Sequence, residues 1–86
     1  MTSSKELTAK YILKAEHAFT KLKIVNSEEH HNIEKIKTVI EEAKRYLEDA
    51  KYYFTNKRFK TSLASIAYCE GLLDALRMLG YVKFSW

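Results

Sequence analysis

Apolar side chains recur every three or four positions along nearly the whole chain, a rhythm that predicts three helices. In the first stretch Leu7, Tyr11, Ile12, Ala15, Phe19, Leu22 and Val25 fall on one stripe. Ser3 followed by Glu6 has the spacing of a capping box, in which each side chain takes an orphan backbone N–H. A helix is predicted over about 4–25. The second stretch is the cleanest: Ile33, Ile36, Ile40, Ala43, Leu47, Ala50 and Phe54 alternate by three and four. That is a heptad seam. Asn26 and Glu29 again have cap spacing, and Glu28 and Glu29 suit the positive end of a helix dipole. This helix is predicted over about 28–55.

In the third stretch Phe59, Leu63, Ile66, Cys69, Leu73, Leu76 and Leu79 line one face. Ala67, Leu72, Ala75 and Met78 widen it, so this helix, over about 59–79, is expected to be the most buried of the three. Gly80 stands where a C-cap glycine belongs. The link Asn56-Lys57-Arg58 is too short for anything but an antiparallel return. The expected fold is all-α: a three-helix bundle built on a long antiparallel hairpin, with an aromatic tail at 81–86, in one domain spanning 1–86. Ala50, Tyr53, Phe59, Ser62, Ile66 and Cys69 echo the packing of a tetratricopeptide hairpin. The pattern occurs once, and a solenoid needs about three copies.

Composition fits this picture. Apolar residues are 47% and charged residues 30% of 86, with two glycines and no proline. Sheet and loop-rich folds need more turn residues. A chain this short buries roughly 60–65% of its extended surface, so its core is thin and a deep substrate cavity is not expected. A thin core also gains from self-association, and the helix-two seam is regular enough to serve a homodimer.

The net charge of +4 is uneven. Residues 1–43 carry seven Lys and seven acids, whereas residues 44–86 carry eight Lys or Arg and four acids. That bias favours nucleic acid or an acidic protein face as partner. The single Cys69 has no internal disulfide partner, and no uncharged stretch approaches the ~20 residues needed to span a bilayer. The expectation is an intracellular, cytoplasmic chain with no membrane contact.

Few constellations could carry chemistry. Glu28-Glu29-His30-His31 are consecutive at a helix start, so they point apart and do not converge on one metal ion. Cys69 lies on the apolar face, where a thiol is inert. Glu70 and Asp74 share a helix face and interrupt apolar surroundings. Pairing with Arg77, or with a Lys or Tyr of helix one, is the structural reading; a ligand contact is the functional one. No catalytic residue, metal site or cofactor is expected.

The surface is more suggestive. Lys10, Lys14, His17 and Lys21 make a basic stripe along helix one, either plainly solvated or facing an anionic partner. Lys51, Tyr52, Lys57, Arg58 and Lys60 surround the hairpin tip with positive charge and aromatic rings, a combination suited to stacking on bases and contacting phosphates. Tyr81, Phe84 and Trp86 put three aromatics in a six-residue tail. They either fold back over the open end of the bundle or anchor a partner.

The run from Tyr46-Leu47 to Ala50, then Tyr53-Phe54, then Ala64-Ser65-Ile66-Ala67-Tyr68-Cys69-Glu70-Gly71-Leu72-Leu73-Asp74-Ala75 and Leu79-Gly80, resembles an archaeal helical domain family of unknown function, number 357. The likeness covers about residues 43–82. It implies a helical bundle or open hairpin with a docked first helix, and no activity. It places Tyr68, Glu70, Gly71 and Asp74 at family-like positions with scaffold roles: Gly71 for a close helix approach, Asp74 as a hydrogen-bond acceptor. The Asn-Lys-Arg turn departs from the pattern by lacking its usual glycine. Small crenarchaeal proteins of this kind are similar to a small binding subunit of the replicative family-B DNA polymerase holoenzyme. The implied function is an accessory protein docking on a larger partner, such as a DNA polymerase, and meeting DNA indirectly. Direct nucleic-acid binding by the tip and structural self-association are the alternatives.

Overall fold

The computed structural model describes residues 3–25 and 32–86. Helix α1 spans Ser4–Lys21, α2 Ile33–Thr55 and α3 Phe59–Met78. Two short strands complete the described chain: β1, Lys23–Ile24, and β2, Val82–Lys83. They pair antiparallel, with Ile24 opposite Val82 and Lys23 opposite Lys83. The fold is an all-α three-helix bundle about 45 Å long with a two-residue ribbon at one end. The helices run up, down and up. The Thr8 hydroxyl of α1 reaches the Phe59 carbonyl at the start of α3, so these two helices are parallel and begin at the same pole.

Both ends of the hairpin turn are fixed by backbone geometry. At the end of α2, Arg58 N–H donates to the Tyr53 carbonyl and Lys57 N–H to that of Phe54. This crossed pair, with Lys57 at φ 61°, is a Schellman cap built without glycine. A left-handed residue with a Cβ costs about 1 kcal/mol. Lys57→Gly is therefore expected to stabilise the fold by roughly 1 kcal/mol, read as a rise in the urea midpoint at unchanged slope. The end of α3 repeats the motif with Gly80 at φ 81°: Tyr81 N–H donates to Leu76 and Gly80 N–H to Arg77. At the start of α1 the Ser3 hydroxyl accepts from Glu6 N–H at 3.1 Å.

The core follows the predicted stripes. Ala15, Ala18, Ala43 and Ala50 are fully buried, so the three helix axes approach closely, while Ile12, Leu47, Ile66 and Leu73 fill the space between. Ser62 is also fully buried, and its hydroxyl donates to the Ala50 carbonyl at 2.6 Å where α2 and α3 cross. A second cluster at the ribbon end joins Ile36, Ile40 and Leu76 to Val82 of β2.

Two expectations need correction, and a third lies partly outside the described residues. Helix α1 stops at Lys21, short of Val25, because Lys23 and Ile24 are extended and pair with the tail; Val25 N–H donates to the Tyr81 carbonyl at 2.9 Å. β-branched Ile24 and Val25 suit that conformation. The described part of α2 begins at Ile33 after Asn32; the cap expected at Asn26–Glu29 lies outside the described residues. The widened face of α3 is not buried. Ala67, Ala75 and Met78 are exposed and Leu72 is half-buried, while Leu79, assigned to the inner line, is 64% exposed.

Candidate functional site: a basic pole and an uncharged face

The pole where α1 and α3 begin is positive for two reasons. Helix N-termini carry partial positive charge, and two meet here. The first turn of α3 has no acidic residue, and its N-cap Arg58 offers no side-chain acceptor to the first N–H groups. The opposing negative end of α2 is muted, since its last carbonyls accept from Asn56, Lys57 and Arg58. Onto this field the chain places exposed Lys5, Lys57, Arg58 and Lys60, against a single acid in the first turn of α1, Glu6. Lys5 lies 5.9 Å over the Phe59 ring, and with Phe54, Thr55 and Lys57 it borders a shallow depression of about 500 Å³. Arg58 sits 5.3 Å over Tyr53, whose ring meets exposed Tyr52 edge-on.

The structure thus brings Tyr52, Lys57, Arg58 and Lys60 together as expected and withdraws Lys51. The Lys51 ammonium is 3.0 Å from Glu16 and 3.6 Å from Glu48, and the hydrogen bond it donates to the Glu16 carboxylate raises its pKa. Lys5 takes its place in the pole. Only the parallel course of α1 and α3 makes Lys5 a neighbour of Phe59.

The basic stripe on α1 divides. Lys10, His17 and Lys21 are exposed, but Lys14 lies 5.6 Å over both the Tyr11 and the Trp86 rings. The aromatic tail is folded back. Phe84 and Trp86 pack edge-to-face at 4.9 Å against the main core, and Tyr81 packs on the second cluster. The Trp86 indole N–H donates to the Asp74 carboxylate at 2.8 Å, and Arg77 donates to the same oxygen at 3.0 Å. Asp74 therefore ties the tail to α3. Glu70 is half-buried nearby, and burial raises its pKa, partly offset by the Lys14 charge. Cys69 is buried and its thiol is pushed up to about 12, which leaves it protonated and unreactive at neutral pH. Among the described residues no group of three His, Cys, Asp or Glu side chains converges on a metal position. Glu28, Glu29, His30 and His31 lie outside them.

Tyr68 is exposed and stacks on Tyr46 at 4.4 Å, which in turn carries Arg45 at 4.5 Å. Gly71 has open space around it: a Cβ there would meet nothing within 4 Å. The close helix approach that Gly71 could permit is not made among the described residues.

Residues 10–82 match the family described as Protein of unknown function (DUF357). The chain belongs to the DUF357 family. No curated protein and no solved structure matches it. The match takes in all of α2 and α3 and most of α1, so it covers more of this DUF357 chain than the likeness over 43–82 first suggested. It leaves out Lys5 at the basic pole and Phe84 and Trp86 of the tail. No helix among the described residues is long and apolar enough to cross a membrane.

Proposed function

We propose that this chain is a non-catalytic accessory protein that docks on a larger protein partner working on nucleic acid. The observation that supports this reading is the basic pole, where Lys5, Lys57, Arg58 and Lys60 stand exposed over two helix N-termini. A compact positive end on a rigid rod suits an acidic protein face lying beside a nucleic-acid path. In its finer form the reading is a small subunit of an archaeal family-B DNA polymerase holoenzyme, acting in DNA replication in the cytoplasm. The family resemblance carried by the hairpin is what suggests that form.

Affinity capture tests it. Tagged protein is expected to retain a stoichiometric larger partner from native archaeal extract, a family-B polymerase in the finer form. The variant Lys57→Glu/Arg58→Glu/Lys60→Glu is expected to lose it. No partner, or one retained equally by the variant, overturns the reading. Direct nucleic-acid binding is the second reading, favoured by exposed Tyr52 beside the pole. It predicts a gel shift at low salt with single-stranded DNA that weakens steeply as salt rises.

A further inference from the structure

The outward face of α3 carries a different message from the pole. From Thr61 to Leu76 every exposed position of this helix is uncharged: Ala64, Ala67, Tyr68, Gly71 and Ala75. Met78, 81% exposed, and Leu79 continue the face to the helix end. A solvated helix face of four turns normally carries charge. Two shallow grooves run along it, one beside Tyr68 and Gly71, the other of about 310 Å³ between Val39 of α2 and Leu72, Ala75 and Leu79 of α3. They share Leu72, so the apolar surface is continuous over about 22 Å of helix.

The order of sizes along the face identifies its occupant. About a point between Gly71 and Leu72, three of the four small residues lie as far on one side as a large one lies on the other: Gly71 with Leu72, Ala75 with Tyr68, Ala64 with Leu79; the fourth, Ala67, falls opposite buried Leu76. Turned end for end, the face therefore presents large residues to its own small ones, which is how apolar helices interdigitate. A self-complementary patch of this kind is what a two-fold dimer requires. The charges that border the face on α2 agree. Lys35 lies at one end, and toward the other Arg45 is paired with both Glu42 and Asp49, a cluster of net charge −1, so the sum is zero. Reversal brings Lys35 toward Asp49 of a second copy. An acidic or basic partner would find nothing to match here.

We infer that the uncharged face of α3 binds a second copy of this chain, the two α3 helices crossing antiparallel at Gly71–Leu72 in a four-helix layer with both α2 helices. Each Gly71 then admits the facing Leu72, which explains a glycine with open space around it in mid-helix. The two basic poles would stand at opposite ends of the dimer, giving it two equivalent docking ends. The inference does not rest on what the pole binds.

Light scattering with size exclusion on the full chain, loaded at roughly a hundred micromolar, tests it. That concentration suits an interface at the small end of the stable range. Twice the chain mass of 10.1 kDa is expected. Gly71→Arg should run at the single-chain mass with an unchanged helical spectrum, since Gly71 is exposed and a Cβ there meets nothing in one copy. A register test accompanies it. A mixture of Tyr68→Cys and Ala75→Cys chains should form a disulfide-linked heterodimer at least tenfold faster than Ala75→Cys alone. A single-chain mass for the unmodified protein, a dimer that survives Gly71→Arg, or equal cross-linking in both samples overturns the inference.

Discussion

Val82→Asp is expected to cost the fold on the order of 4–6 kcal/mol, about a third or more of its total stability. Val82 is 2% exposed and closes the cluster of Ile36, Ile40 and Leu76 at the ribbon end. The substitution removes a buried apolar group, a loss of roughly 1.5–3 kcal/mol. It also puts a carboxylate among aliphatic side chains. Burying a polar group without a partner costs about 2 kcal/mol or more, and a charge costs further until it is protonated. Together these reach on the order of 4–6 kcal/mol. A domain of this length has roughly 4–13 kcal/mol in total. The thermal transition, followed by the far-ultraviolet helical signal, should move down by tens of degrees. The neighbouring position is the internal control. Lys83 is exposed and lies opposite Lys23, a like-charge cross-strand pair. Lys83→Glu makes that pair attractive and should stabilise by a few tenths of a kcal/mol. Opposite outcomes at adjacent residues would establish that the tail is a paired strand with one face in the core. Equal, near-neutral outcomes would show that it is not docked.

Ser62→Leu carries the second-largest effect. Ser62 is fully buried against fully buried Ala50, and its hydroxyl donates to the Ala50 carbonyl. Leucine adds three carbons at a crossing that two small side chains keep close. Overpacking typically costs about 1–3 kcal/mol, and the lost hydrogen bond about 1 more. The expected loss is roughly 2–4 kcal/mol in urea unfolding. Gly71→Ala, nine positions later on the same helix, should instead gain about 0.5–1 kcal/mol in a dilute single chain, because Gly71 is exposed and alanine is the better helix former. If both substitutions were neutral, the assignment of the inner and outer faces of α3 would fail.

The hairpin was the most legible part of the molecule. In α2 the alternation of three and four is interrupted by Glu34, Lys37, Glu41, Lys44 and Glu48, so the polar positions mark the outside as plainly as the isoleucines mark the inside. Ile36, Ile40, Ala43, Leu47 and Ala50 are all buried. That seam is consumed by the core of its own chain. In α3 the same rule misjudged Ala67, Ala75, Met78 and Leu79. Lys60, Arg77 and the half-buried Glu70 and Asp74 are too few and too placed to define an outside. An apolar residue at an exposed position has no sequence signature of its own, because alanine, leucine and methionine suit a helix whichever way they face. The ribbon was invisible for another reason: two-residue strands fall below the length at which a period of two can be recognised. The basic pole was half legible. Lys57, Arg58 and Lys60 are neighbours in sequence, whereas Lys5 reaches them only through the parallel course of α1 and α3.

Local chemistry by itself determined three helices, the antiparallel hairpin, the Ser3 and Gly80 caps and the inner stripe of α2, since each depends on residues within a few turns of one another. The tertiary structure decided the rest. It stopped α1 at Lys21 so that β1 could pair with the tail, turned Phe84 and Trp86 inward onto Asp74, drew Lys51 off to Glu16, and left one face of α3 without a covering helix. Those outcomes depend on contacts between residues tens of positions apart. Their energies are set by which surfaces meet, and periodicity along a chain records only that a surface is apolar, not what will lie against it.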